Sequence, residues 1–195
     1  MKKLLMLITA AALSAGMPAA AADYRVDKDH TSIGFSVKHM VISNVKGYFK
    51  DYSGGFSFDE KTKTLSKADL TIKAATINSE VADRDADLRS ERFLNAEKFP
   101  NITFALKKSE LLGGDAMRVV GNLTIRGVTK EVVLEGEYLG SAKDPKGNRR
   151  VGFTAAGKIK RGDFGLKWNQ LLETGGVLVG EEVKILIEVE GVLKP

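Results

Sequence analysis

From Asp23 onward, apolar residues recur at every second position in short runs. Ile33, Phe35 and Val37 alternate with Ser32, Gly34, Ser36 and Lys38. Ala68, Leu70, Ile72 and Ala74 alternate with Lys67, Asp69, Thr71 and Lys73. Ile102, Phe104 and Leu106 share a face, as do Met117, Val119, Leu123 and Ile125. Val132, Leu134 and Tyr138 stand opposite Glu131, Glu135 and Glu137. Phe153, Ala155 and Ile159 follow, and Val183, Ile185, Ile187 and Val189 close the series opposite Lys184, Glu188 and Glu190. A period of two sends successive side chains to opposite faces, so each run predicts a strand with one buried face. One-sided alternation is the mark of antiparallel sheets. Parallel ones need continuous apolar runs separated by regular helices.

Turn residues separate the runs. Arg126-Gly127 predicts a tight link, Gly113-Gly114-Asp115 precedes Met117, and Asp144-Pro145-Lys146-Gly147-Asn148 forms a polar turn. Val45, Gly47 and Phe49 fall on odd positions, but Phe56 and Phe58 fall on even ones. An inserted residue would keep them on one face, and Ser53-Gly54-Gly55 is the expected bulge. Helical spacing occurs only between Ser79 and Lys98, where Ser79-Glu80 is the expected cap and Pro100 stops the run. Two short helices over one end of the strands are expected there. No repeat or linker interrupts the series. The fold class is therefore all-β, in one domain over residues 23–195, with roughly eight to ten strands in a closed barrel or a two-sheet sandwich.

The first 22 residues follow a different pattern. Lys2 and Lys3 precede an apolar stretch from Leu4 to Leu13, and Ala20-Ala21-Ala22 forms a small-residue exit. This is the secretory pattern, with cleavage expected before Asp23. The apolar part is about half of the ~20 residues a bilayer-spanning helix needs, so no stable membrane span is expected after cleavage.

Composition narrows the chemistry. The chain has 195 residues, is 43% hydrophobic and 28% charged, and has a formal charge of +5. Acids and bases interleave without a basic stripe, so nucleic acid is not an expected partner. The absence of cysteine removes disulfides, thiolate nucleophiles and Cys-based zinc sites. His30 and His39 are the two imidazoles. His39 would continue the inward face of Ile33, Phe35 and Val37. His30 sits beside Asp29, and a metal site would need a third ligand, Asp27 or Asp29, at no recognised spacing. Structural hydrogen bonding is the favoured reading of both. No Ser occupies a strand-turn-helix elbow and no Gly-rich loop opens a helix, so no cofactor is expected. The charges of Asp83-Arg84-Asp85-Ala86-Asp87-Leu88-Arg89, and those of Arg161-Gly162-Asp163-Phe164-Gly165, either line a head-group site or pair with each other. Pairing is favoured. The sequons at Asn101 and Asn122 fall inside predicted strands and are read as chance.

The inward face carries the most information. Ile33, Phe35, Val37, Leu70, Ile72, Phe104, Leu123, Ile125, Leu134, Phe153, Ile159, Ile185 and Ile187 would line either a solid core or a cavity. Ala68, Ala74, Gly121, Ala155 and Gly157 on the same faces would leave room for an acyl or prenyl chain. Periodicity alone leaves both readings open.

A resemblance goes further. Asp29-His30-Thr31-Ser32-Ile33-Gly34-Phe35-Ser36-Val37-Lys38-His39, Val45-Lys46-Gly47-Tyr48-Phe49, Arg84-Asp85-Ala86-Asp87-Leu88, Phe93-Leu94 and Phe99-Pro100-Asn101-Ile102-Thr103-Phe104 come in order. Gly121-Asn122-Leu123-Thr124-Ile125-Arg126-Gly127-Val128-Thr129-Lys130 and Arg161-Gly162-Asp163-Phe164-Gly165-Leu166 complete the set. Together they resemble the YceI-like family of polyisoprenoid-binding periplasmic proteins. The resemblance implies an extended antiparallel, lipocalin-like β-barrel with a hollow interior and a periplasmic location. It also implies an amphiphilic lipid guest (an isoprenoid, quinone or fatty-acid-like lipid) held by the inward positions above. The roles of His30, Arg84, Asp85, Arg161 and Asp163, as head-group contacts or architecture, stay open, as does a homodimer. The expected function is a periplasmic carrier or sequestering protein rather than an enzyme. The alternatives are an enzyme using His30 or His39 as general base on a bound lipid, and a solid-cored protein-binding adaptor.

Overall fold

The structure is a computed structural model and describes residues 21–173 and 175–195. Positions 1–20, all but the last two residues of the expected 22-residue leader, lie outside the described residues. Eleven strands and one α-helix follow: β1 (Ala22–Val26), β2 (Ser32–His39), β3 (Ser43–Phe49), β4 (Tyr52–Asp59), β5 (Thr64–Lys73), β6 (Ile77–Asn78), α1 (Ala82–Arg89), β7 (Asn101–Gly113), β8 (Ala116–Ile125), β9 (Val128–Lys143), β10 (Arg149–Lys160) and β11 (Val179–Leu193). The strands pair antiparallel throughout the described sheet. β11 closes the sheet: its end, Gly191–Leu193, pairs with β1, while Val183–Glu188 pairs with β2. Both partners lie along the same edge of β11. β1 and β2 therefore act as one interrupted stave, as do β3 with β4 and β5 with β6, and eight staves close into a barrel.

The three interruptions lie at one level. Short 3-10 turns occupy Lys28–His30 and Ala74–Thr76, and Lys50-Asp51 separates β3 from β4. Lys28 Nζ reaches Asp51 at 2.5 Å, and the Asp51 amide donates to Thr76 Oγ1 at 3.1 Å. The Tyr52 hydroxyl donates to the Thr31 carbonyl. Backbone groups that leave the ladder are thus satisfied by neighbouring breaks.

The switch from odd to even inward positions arises here, and not at Ser53-Gly54-Gly55 as the sequence predicts. Register runs evenly from Tyr52↔Ile72 to Ser57↔Lys67, and the irregularity in this pair comes only at Ser57/Phe58. Arg126-Gly127 forms the expected tight turn, with φ of 52° and 74°. The predicted pair of helices is one. Ser90 at the end of α1 is extended, and Asn95 at φ 47° belongs to the turns leading to Pro100. Ser79-Glu80 does not cap the helix. Val81 is the N-cap and offers no side-chain bond, while the Ser79 amide and hydroxyl donate to Asp85 Oδ1 at 2.7 and 2.5 Å.

Candidate functional site

The two ends of the barrel differ. Aromatic rings close the end holding the β4–β5 and β9–β10 turns. Phe58 meets Phe153 edge-on at 4.8 Å and Tyr138 at 5.0 Å, and Tyr24 stacks on Phe56 at 5.4 Å. Tyr24, Phe58 and Val151 are almost fully buried. Glu60 finishes this floor by accepting from the Tyr24 hydroxyl at 2.8 Å, the Tyr138 hydroxyl at 3.1 Å and Arg149 at 2.6 and 2.7 Å. Arg149 holds the Glu60 carboxyl down to about 2, against the cost of its partial burial. Burial, and then Glu60 itself, push the Tyr24 phenol up to about 12.

Above this floor lies a cavity of about 300 Å³, within the range of small-molecule sites. The lining candidates named from the sequence all stand on its wall: Ile33, Phe35, Val37, Leu70, Ile72, Phe104, Leu123, Ile125, Leu134, Phe153, Ile159, Ile185 and Ile187. Side chains that the alternation did not assign join them. Val26 adjoins a break, and Leu88, Phe93, Leu94 and Leu166 come from the covering segments; Phe49, on the odd-numbered face of β3, also reaches the wall. Leu88 at helical spacing and the adjacent Phe93-Leu94 were the available signal for that cover.

The space does not come from all the small residues expected to leave it. A Cβ on Gly121 would stand 2.3 Å from the Phe104 ring, and one on Gly157 2.5 Å from Leu134. Gly47 seats the Phe35 ring in the same way, at 2.5 Å. Each of these glycines lets a large side chain lie along the wall instead of across the lumen. Ala74 is buried in the break after β5 and is not on the wall. Ala68 and Ala155 do face the cavity.

The other end carries a cover made of two segments. Trp168, after β10, packs against Phe93 at 5.3 Å, and the Arg92 guanidinium lies over the Trp168 ring at 4.2 Å. Arg161 anchors the second segment. Its buried guanidinium donates to the carbonyls of Gly180, Leu166 and Trp168 at 2.7–2.9 Å, and to Glu181 at 2.8 Å.

The remaining polar residues serve the frame. Arg84 donates to the Ser79 hydroxyl and carbonyl at 2.8 and 2.7 Å. Hydrogen bonds from Ser79 keep the buried Asp85 carboxyl below its usual range, although burial acts in the opposite direction. Asp87 pairs with Arg92 at 3.0 Å, and Asp163 is exposed. His39 does not continue the wall below it. It ends β2 opposite Val179 and Ser43. His30 is 58% exposed and meets Asp27 at 2.9 Å rather than Asp29. Asp27, His30 and Glu190 could converge on a metal ion, but Arg150 donates to both Asp27 and Glu190 and also pairs with Asp144 at 2.9 Å. A cation thus already occupies the cluster. Neither imidazole lines the cavity, so neither is placed to act on an apolar chain held there. No helix of the described residues is long and apolar enough to cross a membrane.

The YceI-like domain model matches residues 24–191. Protein YceI of Escherichia coli O157:H7 is 42% identical over 196 residues, covering 98% of each chain. Among solved structures, a Campylobacter jejuni YceI protein is 38% identical with a TM-score of 0.68, covering 81% of this chain and 90% of that one. A domain from Saccharophagus degradans, described as polyisoprenoid binding, is 16% identical with a TM-score of 0.64. It covers 89% of this chain and 99% of that one, and shows the shared fold.

Proposed function

The chain belongs to the YceI-like family, and we propose that it is a periplasmic protein that sequesters or carries the apolar tail of a prenyl-chain or similar amphiphilic lipid. The carrying observation is the cavity, apolar along its staves, closed at the floor and covered at the other end by the segments of Phe93-Leu94 and Leu166 rather than by strands. The polyisoprenoid-binding description of the S. degradans relative supports the class of guest. Burial of the tail supplies the affinity, at about 0.8 kcal/mol for each CH₂ removed from water. The side chains named above as wall residues are the proposed contacts. The head group would stay near the cover, where discrimination between lipids is modest.

The leader supports export, with the mature chain starting at Asp23. Native mass spectrometry of protein recovered from the periplasm, followed by lipid extraction, tests both points. The expected result is a mass beginning at Asp23 with an amphiphile released on denaturation. Protein that is consistently empty and also takes up no added prenyl lipid would refute the carrier reading.

A further inference from the structure

The most exposed large apolar side chains among the described residues are Ile42 at 83%, Leu171 at 79% and Val41 at 66%. All three lie at the covered end of the barrel. Val41 and Ile42 form the turn between β2 and β3 with Met40, and Leu171 belongs to the segment that also carries Trp168. The two pieces form one unit. The Met40 amide donates to the Leu178 carbonyl at 2.9 Å, and Val41 Cγ2 lies 3.8 Å from where a Cβ on Gly176 would stand. Val37, Val179 and Val183, next to this unit in β2 and β11, stand on the cavity wall.

Two features separate this turn from ordinary surface. Met40 and Val41 both adopt left-handed backbone, at φ 51° and 65°. That conformation is costly for a β-branched residue, and such strain tends to be kept where it serves a function. The charge is also one-sided. From Ser32 to Lys50 the hairpin carries Lys38, Lys46 and Lys50 and not one Asp or Glu, while the Leu171 segment adds a single exposed acid, Glu173. Lys38 and Lys46 are exposed on the two strands of this hairpin.

We infer that the β2–β3 turn and the Leu171 segment form a membrane-docking tip, which sinks Val41, Ile42 and Leu171 into the surface of an anionic bilayer while Lys38 and Lys46 meet its head groups. Apolar tips flanked by lysine bind such surfaces by combining burial with attraction to negative lipid. A second copy of the chain fits less well, because it would set the same lysines against each other. Docking in this orientation brings the covered end of the cavity to the bilayer. A lipid tail could then pass between the two without crossing open water.

The chain contains no cysteine, so Ile42→Cys and, at the opposite end, Lys146→Cys each give a single labelling site. Each labelled protein is mixed with vesicles of equal parts phosphatidylcholine and phosphatidylglycerol that carry bromine on the acyl chains. Quenching is expected at position 42 and not at position 146, and should weaken as salt is raised. In the unlabelled protein, the double change Val41→Asp and Ile42→Asp should lower vesicle affinity about tenfold or more, with the thermal midpoint not lowered, because both side chains are solvent-facing and Asp tolerates left-handed backbone better than valine. Equal quenching at both ends, no vesicle binding, or tip-dependent dimers in light scattering would overturn membrane docking. Uptake of prenyl lipid by the same double variant in vesicle-free solution is read separately. A failed tip is thereby distinguished from an empty cavity.

Discussion

Glu60 gathers hydrogen bonds from Tyr24, Tyr138 and Arg149, which lie 36, 78 and 89 positions away along the chain. Sequence spacing gives no hint of such a cluster, since only barrel closure brings the four together. Its consequence is a pH dependence with a definite sign. The folded-state carboxyl lies at about 2, below the ordinary value of 4.5. A depressed carboxylate contributes stability above its unfolded value and loses that contribution as pH falls through the folded one. Asp27, held down to about 2 by Arg150 and then His30, acts in the same direction from 3.8. Thermal melts followed by circular dichroism should therefore show the parent protein losing stability mainly between pH 4.5 and 2. Glu60→Gln should melt lower than the parent at pH 7 and converge on it toward pH 2. A constant gap between the two across that range would refute the role given to Glu60. The sequence reading set His30 beside its neighbour Asp29, with Asp27 named only as a possible metal ligand. The 3-10 turn instead curls the ring back onto Asp27, a change that adjacency in the chain does not reveal.

At the level of elements, Arg161 shows how one motif residue holds the cover in place. Its carbonyl partners come from the covering segment after β10, at Leu166 and Trp168, and from the start of β11, at Gly180. Arg161→Met keeps much of the volume but leaves those buried carbonyls without donors. Urea denaturation should show a loss of about 3 kcal/mol, because orphaned buried acceptors keep their desolvation cost. An unchanged midpoint would mean that the guanidinium is dispensable. The strands themselves were legible from alternation, because one wet face and one apolar face impose a period of two. The breaks at Lys28–His30, Lys50-Asp51 and Ala74–Thr76 were not. They are stabilised across three staves by Lys28, Asp51 and Thr76, which leave no local signature. Part of the predicted helical stretch likewise became turns. Its periodicity is short, and Phe93 and Leu94 pack over the cavity without needing helical geometry.

For the molecule as a whole, alternation located the wall but could not decide between a filled and an open interior. The answer depends on where rings lie rather than on how many there are. Phe104 over Gly121 and Phe35 over Gly47 line the tube lengthwise, while Phe58, Tyr138 and Phe153 cross it only at the floor. A tube closed below and open in its middle has a measurable signature. Binding should depend on how much chain it can bury, and the most direct measurement is equilibrium affinity for a homologous series of prenyl or alkyl amphiphiles with one head group. Each added CH₂ should tighten binding by up to about fourfold, equivalent to ~0.8 kcal/mol, until the tail fills the cavity, after which affinity should level off. Affinity that ignores tail length from the shortest member upward would contradict the account.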